Sequence, residues 1–253
     1  MTSYDLAIIG SGPGGYIAGL YASRRGLKAC VIESGQTGGT CLNRGCIPTK
    51  SLLHAASLLS DINDCQLFGV NAAPAVADYQ RMAKRREDVV LRLRTGIETL
   101  LRASKVDLVR GRAKFISKDS IAVDGYGDIT AKNVIIASGS RPSQLPNIGI
   151  DEDRILSSDG LLALKDRPKS IVVIGAGVVG SEFAHLFNAL GTKVTMVEFL
   201  DRIIPAQSRE ASKKLELIFK KRGIDIHISS KAESVCGEGP VTVKISGEKA
   251  ISA

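Results

Sequence analysis

Aromatic residues make up only 4% of the 253 residues, and tryptophan is missing altogether. The basic runs Lys84-Arg85-Arg86, Lys213-Lys214 and Lys220-Lys221-Arg222 have no aromatics between them. That argues against nucleic acid as a partner, despite a net charge of +8, and in favour of solvated helix faces. No apolar run approaches the ~20 residues of a membrane span. The longest, Leu6 to Ile9 and Ile171 to Val179, are bounded or interrupted by glycine. The opening Met1-Thr2-Ser3-Tyr4-Asp5 carries no basic region and runs at once into a strand-like segment, so no targeting peptide and no membrane are expected. Cytoplasm is the expected location. Cysteine is scarce and odd in number, five residues, which speaks against a structural disulfide framework. A zinc site is not expected either, because Cys30, Cys65 and Cys236 are scattered with no histidine nearby. These three are assigned to packing, and no metal is expected.

With 44% hydrophobic and 24% charged residues, the chain has the composition of a globular protein of one or two domains, long enough to need no staples. Glycine is in excess, 26 residues against a usual ~7%, which asks for places where backbone must approach something closely.

A repeat accounts for much of that excess. Residues 4–34 align without a gap on residues 169–199 at an offset of 165. Ile9, Gly10, Gly12, Gly15, Gly26, Lys28 and Glu33 meet identical residues at Ile174, Gly175, Gly177, Gly180, Gly191, Lys193 and Glu198. Each copy reads as an apolar strand, a tight glycine turn, a helix, a glycine stop and a second strand ending in a carboxylate.

Between the copies, helical spacing covers Thr49 to Ser60 and Tyr79 to Ala103. The strands Val106 to Val109, Ala113 to Ile116 and Ile121 to Val123 suggest a small antiparallel excursion, and Val134 to Ala137 a buried parallel strand. Gly139 to Ile150 reads as the crossing between domains, which places the domains at 1–145 and 146–253. A basic amphipathic helix (Gln207 to Arg222), a strand (Ile224 to Ile228) and a hairpin through Val241 to Ile245 complete the chain. The expected class is α/β, with two doubly wound, Rossmann-like dinucleotide-binding domains, the second incomplete.

Each glycine turn follows a strand, opens a helix, and has its acid 23 positions after the first glycine. This is the dinucleotide fingerprint. The first glycine makes the turn, the second admits a pyrophosphate to backbone N–H groups, the third allows close strand–helix packing, and the acid takes ribose hydroxyls. Two such units suggest a flavoprotein that uses a nicotinamide. Glu198 would repel a 2′-phosphate by up to ~4 kcal/mol in partly shielded surroundings, which favours NAD over NADP. Arg202 is nearby in sequence and is expected to face solvent.

Residues 38–50 read GGTCLNRGCIPTK. Pro48 suits a first helical turn, which puts Cys46 at a helix amino terminus, where a thiolate is stabilised, with Lys50 on the same face. The residues alone leave Cys41 and Cys46 as either a reactive pair or two structural thiols.

This string, with both fingerprints in this order, resembles the pyridine nucleotide-disulfide oxidoreductases and is most similar to their dihydrolipoyl dehydrogenase branch. The resemblance spans the whole chain but about half of a family member. It implies FAD on the first fingerprint and NAD on the second. It implies that Cys41 exchanges with the dithiol substrate, that Cys46 faces the flavin, that the two form a redox disulfide, and that Lys50 and Glu182 lie at the reactive end of the flavin. FAD contacts are implied at Gly10, Gly12, Gly14, Gly15, Glu33 and Ser34, at Gly38, Gly39, Thr40, Cys41 and Lys50, and at Ala113, Ser138 and Gly139. NAD contacts are implied at Gly175, Gly177, Val178, Val179, Gly180, Glu198 and Ala232. Val178 stands where glutathione reductases carry a tyrosine, which supports the lipoyl branch.

The implied partner is dihydrolipoamide on an acyl-transferase or glycine-cleavage carrier protein, and the implied assembly is a homodimer. None of the three histidines suits the role of base beside the thiols: His54 is eight residues past Cys46, about 12 Å along a helix, His185 sits within the helix of the second fingerprint, and His227 alternates opposite Ile224, Ile226 and Ile228 on a strand in the other domain. The family takes its base from a carboxy-terminal interface domain of the partner subunit, which this sequence does not contain, so the chain reads as a fragment, expected to be inactive. Another disulfide or mercuric-ion reductase, or a dinucleotide-binding module without turnover, are the alternatives. Glu182 also has a second reading, as an acid stabilising a helix amino terminus.

Overall fold

A computed structural model of the chain describes residues 2–237, 241–247 and 249–252. It divides into two compact units, Met1–Pro48 with Arg86–Arg141, and Thr49–Arg85 with Pro142–Ala253. Among the described residues no helix is long and apolar enough to cross a membrane.

The first unit contains β1 (Thr2–Ile9), α1 (Pro13–Arg24), β2 (Ala29–Glu33), α2 (Gly39–Arg44), the first residues of α3 (Cys46–Asp64) and most of α4 (Tyr79–Ala103). It continues with β3 (Asp107–Arg110), β4 (Ala113–Phe115), β5 (Ser120–Val123) and β6 (Gly127–Ile136). One six-stranded sheet in the order β3-β2-β1-β6-β5-β4 carries them. β1, β2, β3 and β6 are parallel, with Ile9 opposite both Ile32 and Ile136, while β4 and β5 run antiparallel. Alternation of side chains along the strands feeds two cores. Ile8, Val31 and Val106 pack with Ala22, Val90, Ile97 and Leu101 of the helices, whereas Tyr4, Ala7, Ile32 and Val109 pack with Ile121, Val123, Ile129 and Ala131.

The antiparallel excursion is narrower than its apolar pattern suggests. Residues 107–110 pair in parallel with β2, so only β4, β5 and the start of β6 form it. Residues 134–136 are the end of the ten-residue β6, and they are not buried: Ile136 is 67% exposed. An apolar run specifies strand, and which neighbours cover it is a tertiary matter. Arg86 departs from a solvated basic face, being buried and bonded to Glu87. Lys213, Lys214, Lys220, Lys221 and Arg222 are exposed.

The second unit contains the rest of α3, a 3₁₀ turn at Cys65–Phe68, the start of α4, α5 (Ser158–Ala163), β7 (Ser170–Ile174), α6 (Val178–Ala189), β8 (Lys193–Val197), α7 (Arg209–Lys221) and β9 (Asp225–His227). Then come β10 (Ala232–Cys236), β11 (Thr242–Ile245) and β12 (Lys249–Ser252). β7, β8 and β9 make a parallel sheet. On its helical side Phe183, Leu186 and Phe187 of α6 and Phe219 of α7 meet Met196 and Val194 of β8 and Leu52 and Ala56 of α3. The hairpin expected around 241–245 is part of a three-stranded antiparallel sheet, whose Val243 and Ile245 pack with Val172, Ile174 and Val197.

The repeat is reproduced in the backbone. α1 and α6 each have 12 residues and start at positions separated by the sequence offset. Gly10 and Gly175 turn the chain at φ +103 and +100. Gly10 N–H donates to Ile32 O and Gly175 N–H to Val197 O, both at 2.8 Å. The third glycine of each fingerprint lets the helix rest on the strand end: a Cβ on Gly15 would lie 1.8 Å from Gly10 O, and one on Gly180 2.0 Å from Gly175 O. No shift of a flexible side chain relieves a clash with backbone.

Gly15→Ala and Gly180→Ala are therefore expected to cost at least about 1–3 kcal/mol each. Urea unfolding followed by far-ultraviolet circular dichroism measures this, and an unchanged midpoint in either variant contradicts the close approach.

Candidate functional site

In both units a helix amino terminus faces the carboxyl ends of the parallel strands without a side-chain cap. Gly12 caps α1 (φ −65°, ψ −177°) and Gly177 caps α6 (φ −66°, ψ −173°), with no side-chain hydrogen bond at either cap and no acid in either first turn. α5 and α7 are finished differently: Ser157 and Ser208 accept from helix N–H groups, and Asp159 and Glu210 sit in the first turns. Uncapped N–H groups and the positive end of the helix dipole suit an anionic ligand. Room is left for one. A Cβ on Gly177 would meet nothing within 4 Å, and one on Gly12 only the Cα of Gly39 at 3.8 Å. Glu182 lies beyond the first turn of α6, which removes its reading as a stabiliser of that terminus.

The acid that ends the second strand latches each turn. Glu33 Oε2 accepts from Ser11 N at 2.9 Å and Ser11 Oγ at 2.5 Å, and its Oε1 accepts from Gly35 N at 2.7 Å. Glu198 Oε2 accepts from Ala176 N at 2.7 Å and its Oε1 from Leu200 N at 2.9 Å. Burial pushes the Glu33 carboxyl up, but the bonds from Ser11 and Gly35, with Arg110 nearby, outweigh it and hold the group below the ordinary value of 4.5. Arg202 does not face solvent. Its side chain is 25% exposed, Nη1 bonds Asp201 and Nη2 donates to Pro205 O at 2.8 Å.

Around the first cradle the expected contact residues converge. Gly38 N donates to Ser11 O and Ser11 Oγ, and a Cβ on Gly39 would lie 2.6 Å from the Cα of Gly12. Ala137 N donates to Ile9 O at 2.8 Å, which brings Ser138 and Gly139 beside Gly10, and Thr40 Oγ1 donates to Ser140 O. Gly111 N donates to Glu33 O at 3.0 Å, so the segment leading to Ala113 starts at the same strand ends. Ser34 follows Glu33 directly, and Gly14 is exposed in the first turn of α1. Arg110 bonds Gly35 O, Thr37 Oγ1 and Glu98 and so ties the 35–38 loop to α4.

Around the second cradle, Val178 and Val179 are exposed, at 52% and 56%, in the first turn of α6. Ser230 N donates to Glu198 O, and Ala232, two residues on, is half-buried on β10.

Cys41 lies on α2, and Cys46, exposed, is the first residue of α3. Gly45 separates the two helices. Lys50 is one turn further along α3, and inside the second unit its Nζ meets Glu182 Oε1 at 2.7 Å, with the side chains 59% and 31% exposed. Of the other cysteines only Cys30 fits core packing: it is buried on β2 and burial raises its thiol to about 12. Cys65 is partly exposed and Cys236 exposed, because the strand carrying Cys236 belongs to an outer antiparallel sheet. His185 Nδ1 is 2.8 Å from Arg222 Nη1, and His227 Nε2 is 2.9 Å from Asp225 Oδ2. The polar tether of the 35–43 segment to α4 was not foreseeable, since Arg94, Glu98 and Arg110 look like ordinary surface charges in the sequence.

The family model for pyridine nucleotide-disulphide oxidoreductases matches residues 4–253. The chain is 40% identical over 225 residues to dihydrolipoyl dehydrogenase of Chlamydia pneumoniae, covering 88% of this chain and 49% of that protein. It is 37% identical over 249 residues to a dihydrolipoyl dehydrogenase of Bacillus subtilis (strain 168), covering 96% and 54%. Among solved structures, it resembles the HOCl-induced flavoprotein disulfide reductase RclA from Escherichia coli in its Cu(II) complex, with TM-score 0.86, 29% identity and coverage of 100% and 55%. It also resembles LpdA from Mycobacterium tuberculosis, with TM-score 0.90, 25% identity and coverage of 100% and 57%. The chain spans about half the length of the curated relatives it matches.

Two outcomes follow from the cradle geometry. Gly12→Ala and Gly177→Ala should leave unfolding midpoints within about 1 kcal/mol of the unaltered chain, since each Cβ has space and ordinary backbone angles, yet weaken dinucleotide binding at their own unit. Equal binding would show that the cleared space is not a ligand's. In addition, a carboxyl held low by folding contributes stability that is present above 4.5 and lost as the pH falls through the depressed folded value. Acid titration of stability should show that loss, and Glu33→Gln should flatten it.

Proposed function

Because the chain belongs to the pyridine nucleotide-disulphide oxidoreductase family, we propose that it holds FAD at the Gly10 cradle and NAD(H) at the Gly175 cradle of a disulfide oxidoreductase that oxidises carrier-bound dihydrolipoamide through Cys41 and Cys46. Members of the family use FAD and NAD(H). The observation that carries the reading is the doubled cradle, two uncapped helix termini with cleared glycines, together with two cysteines on consecutive helices in the same unit as the first cradle.

The chemistry follows from the thiols. A substrate thiolate attacks Cys41 Sγ of the oxidised pair and displaces the Cys46 thiolate. The second substrate thiolate attacks the mixed disulfide, releases the oxidised lipoyl group and leaves Cys41 reduced, so two electrons enter the pair. FAD, when bound, supplies a two-electron acceptor between this pair and the nicotinamide. Glu33 and Glu198 keep acceptor capacity for ribose hydroxyls beside the N–H groups they already take, since a carboxylate offers about four lone-pair sites. The Lys50–Glu182 pair is assigned to the reactive end of the flavin. As an exposed ion pair it is worth only ~0–1 kcal/mol to stability. The assignment to lipoamide carriers and a homodimeric parent rests on the resemblance to dihydrolipoyl dehydrogenases.

The test is direct titration of the chain. Quenching of flavin fluorescence should report FAD binding, and NADH should bind in preference to NADPH. Glu198→Gln, which retains an acceptor but no charge, should narrow that preference by part of the ~4 kcal/mol that a carboxylate imposes on a 2′-phosphate. Lys50→Met and Glu182→Gln should lower any lipoamide-dependent oxidation of NADH while changing stability by less than about 1 kcal/mol. Failure to bind either dinucleotide would sink the reading.

A further inference from the structure

A six-residue helix is not stable on its own, yet α2 (Gly39–Arg44) carries Cys41. Its cap, Gly38, has φ +101° and no side-chain hydrogen bond, and it ends at Gly45, with φ −143° and ψ −112°. Leu42 packs one side of it into the core with Ile8, Val31 and Val90, and Asn43 ties down its end. The Asn43 amide nitrogen donates to Gly39 O at 2.9 Å, to Thr37 O at 3.0 Å and, at a longer 3.3 Å, to Gln36 O. These bonds tie the end of the helix to its start and to the loop before it. Asn43 Oδ1 in turn accepts from Arg94 Nε at 3.0 Å and Nη2 at 2.8 Å, and Nη2 also donates to Gln36 Oε1 at 2.7 Å. Arg94 is partly buried in the middle of α4, a 25-residue helix anchored in the core by Val90 and Ile97. A rigid element thus grips a short one through a planar two-donor fork.

We propose that Arg94, acting through Asn43, is a positioning residue that sets the stability of the Cys41–Cys46 disulfide by holding α2 in one place. The proposal rests on the reading of these two cysteines as the redox pair. Only Gly45 separates α2 from α3, so without the fork α2 can pivot about it, and the two sulfurs meet less often. Fixing two reacting groups in a productive geometry raises their effective concentration, and for two thiols that stabilises the disulfide over the dithiol. The fork acts by geometry, since Arg94 bonds the amide of Asn43 and the amide of Gln36.

The test needs neither flavin nor turnover. The purified chain is equilibrated in mixtures of reduced and oxidised dithiothreitol. The two thiols lose two electrons and two protons to the cyclic oxidised reagent, forming the protein disulfide and the reduced reagent. Alkylation of remaining thiols and peptide mapping then give the Cys41–Cys46 disulfide fraction. Arg94→Lys keeps the charge and loses the fork, and Asn43→Ala loses the gripped group. Each should shift the equilibrium constant about tenfold towards the dithiol, which is about 30 mV for this two-electron couple. The double variant should be no worse than either single variant, as expected of one coupled device. Amide hydrogen exchange over residues 39–44 should accelerate while β1 is unchanged. Gln36→Ala leaves both arms of the fork but removes the second acceptor of Nη2, and should give a smaller shift of the same sign, which keeps the test informative if a stronger variant unfolds.

Constants within twofold of the unaltered chain, additive effects, or a shift towards the disulfide would overturn the proposal. If the unaltered chain forms no Cys41–Cys46 disulfide at any ratio, the redox reading itself fails, a result distinct from constants that do not respond to the fork.

Discussion

The contact on which each unit depends is the one between the third fingerprint glycine and the carbonyl of the first. At Gly15 and Gly180 the helix backbone rests directly on the strand-end turn, at a distance that excludes even a methyl group. That approach carries the first N–H groups of α1 and α6 to the edge of the parallel strands and fixes where their dipoles point. A longer separation would leave the same residues in the same elements, but the uncapped termini would no longer stand over the strand ends.

The acids at the end of the second strand of each unit, Glu33 half-buried and Glu198 buried, complete the arrangement. Glu33 and Glu198 each spend part of their acceptor capacity on the N–H that follows the turning glycine, Ser11 or Ala176. The charge that would meet a ribose therefore also stiffens the loop that would meet the pyrophosphate. In the second unit the cation nearest in sequence, Arg202, is committed to Asp201 and the carbonyl of Pro205. The guanidinium nearest Glu198 in sequence is thus already engaged by other groups.

The thiol pair relies on a different kind of support. Here the carriers are a one-and-a-half-turn helix and the first residue of a long one, joined through Gly45. Hydrophobic burial comes from Leu42, which joins the core cluster of Ile8, Val31, Val90 and Ile97, and from Ile47, which packs against it. Polar groups supply the rest: Asn43 and Arg94 on one side of the loop, Thr37, Glu98 and Arg110 on the other. Such networks specify geometry more sharply than they add stability.

Local chemistry was readable from the chain itself. The offset repeat, the glycine positions, the acids at 33 and 198 and the start of α3 near Cys46 all depend on backbone rules acting within about thirty residues, and so does the α/β class. Other features were decided only by packing between distant segments. Residues 107–110 joined the parallel sheet, because β2 offered a free edge. Ile136 stayed exposed and Arg86 became buried. Cys65 and Cys236 ended outside the core. Arg94 found Asn43 across 51 positions. A sequence determines which backbone angles and which periodicities are cheap, because those costs are paid residue by residue. It does not display which strand edge, apolar face or side-chain fork will be satisfied by a remote partner, because that is settled by the competition among all segments for the same core.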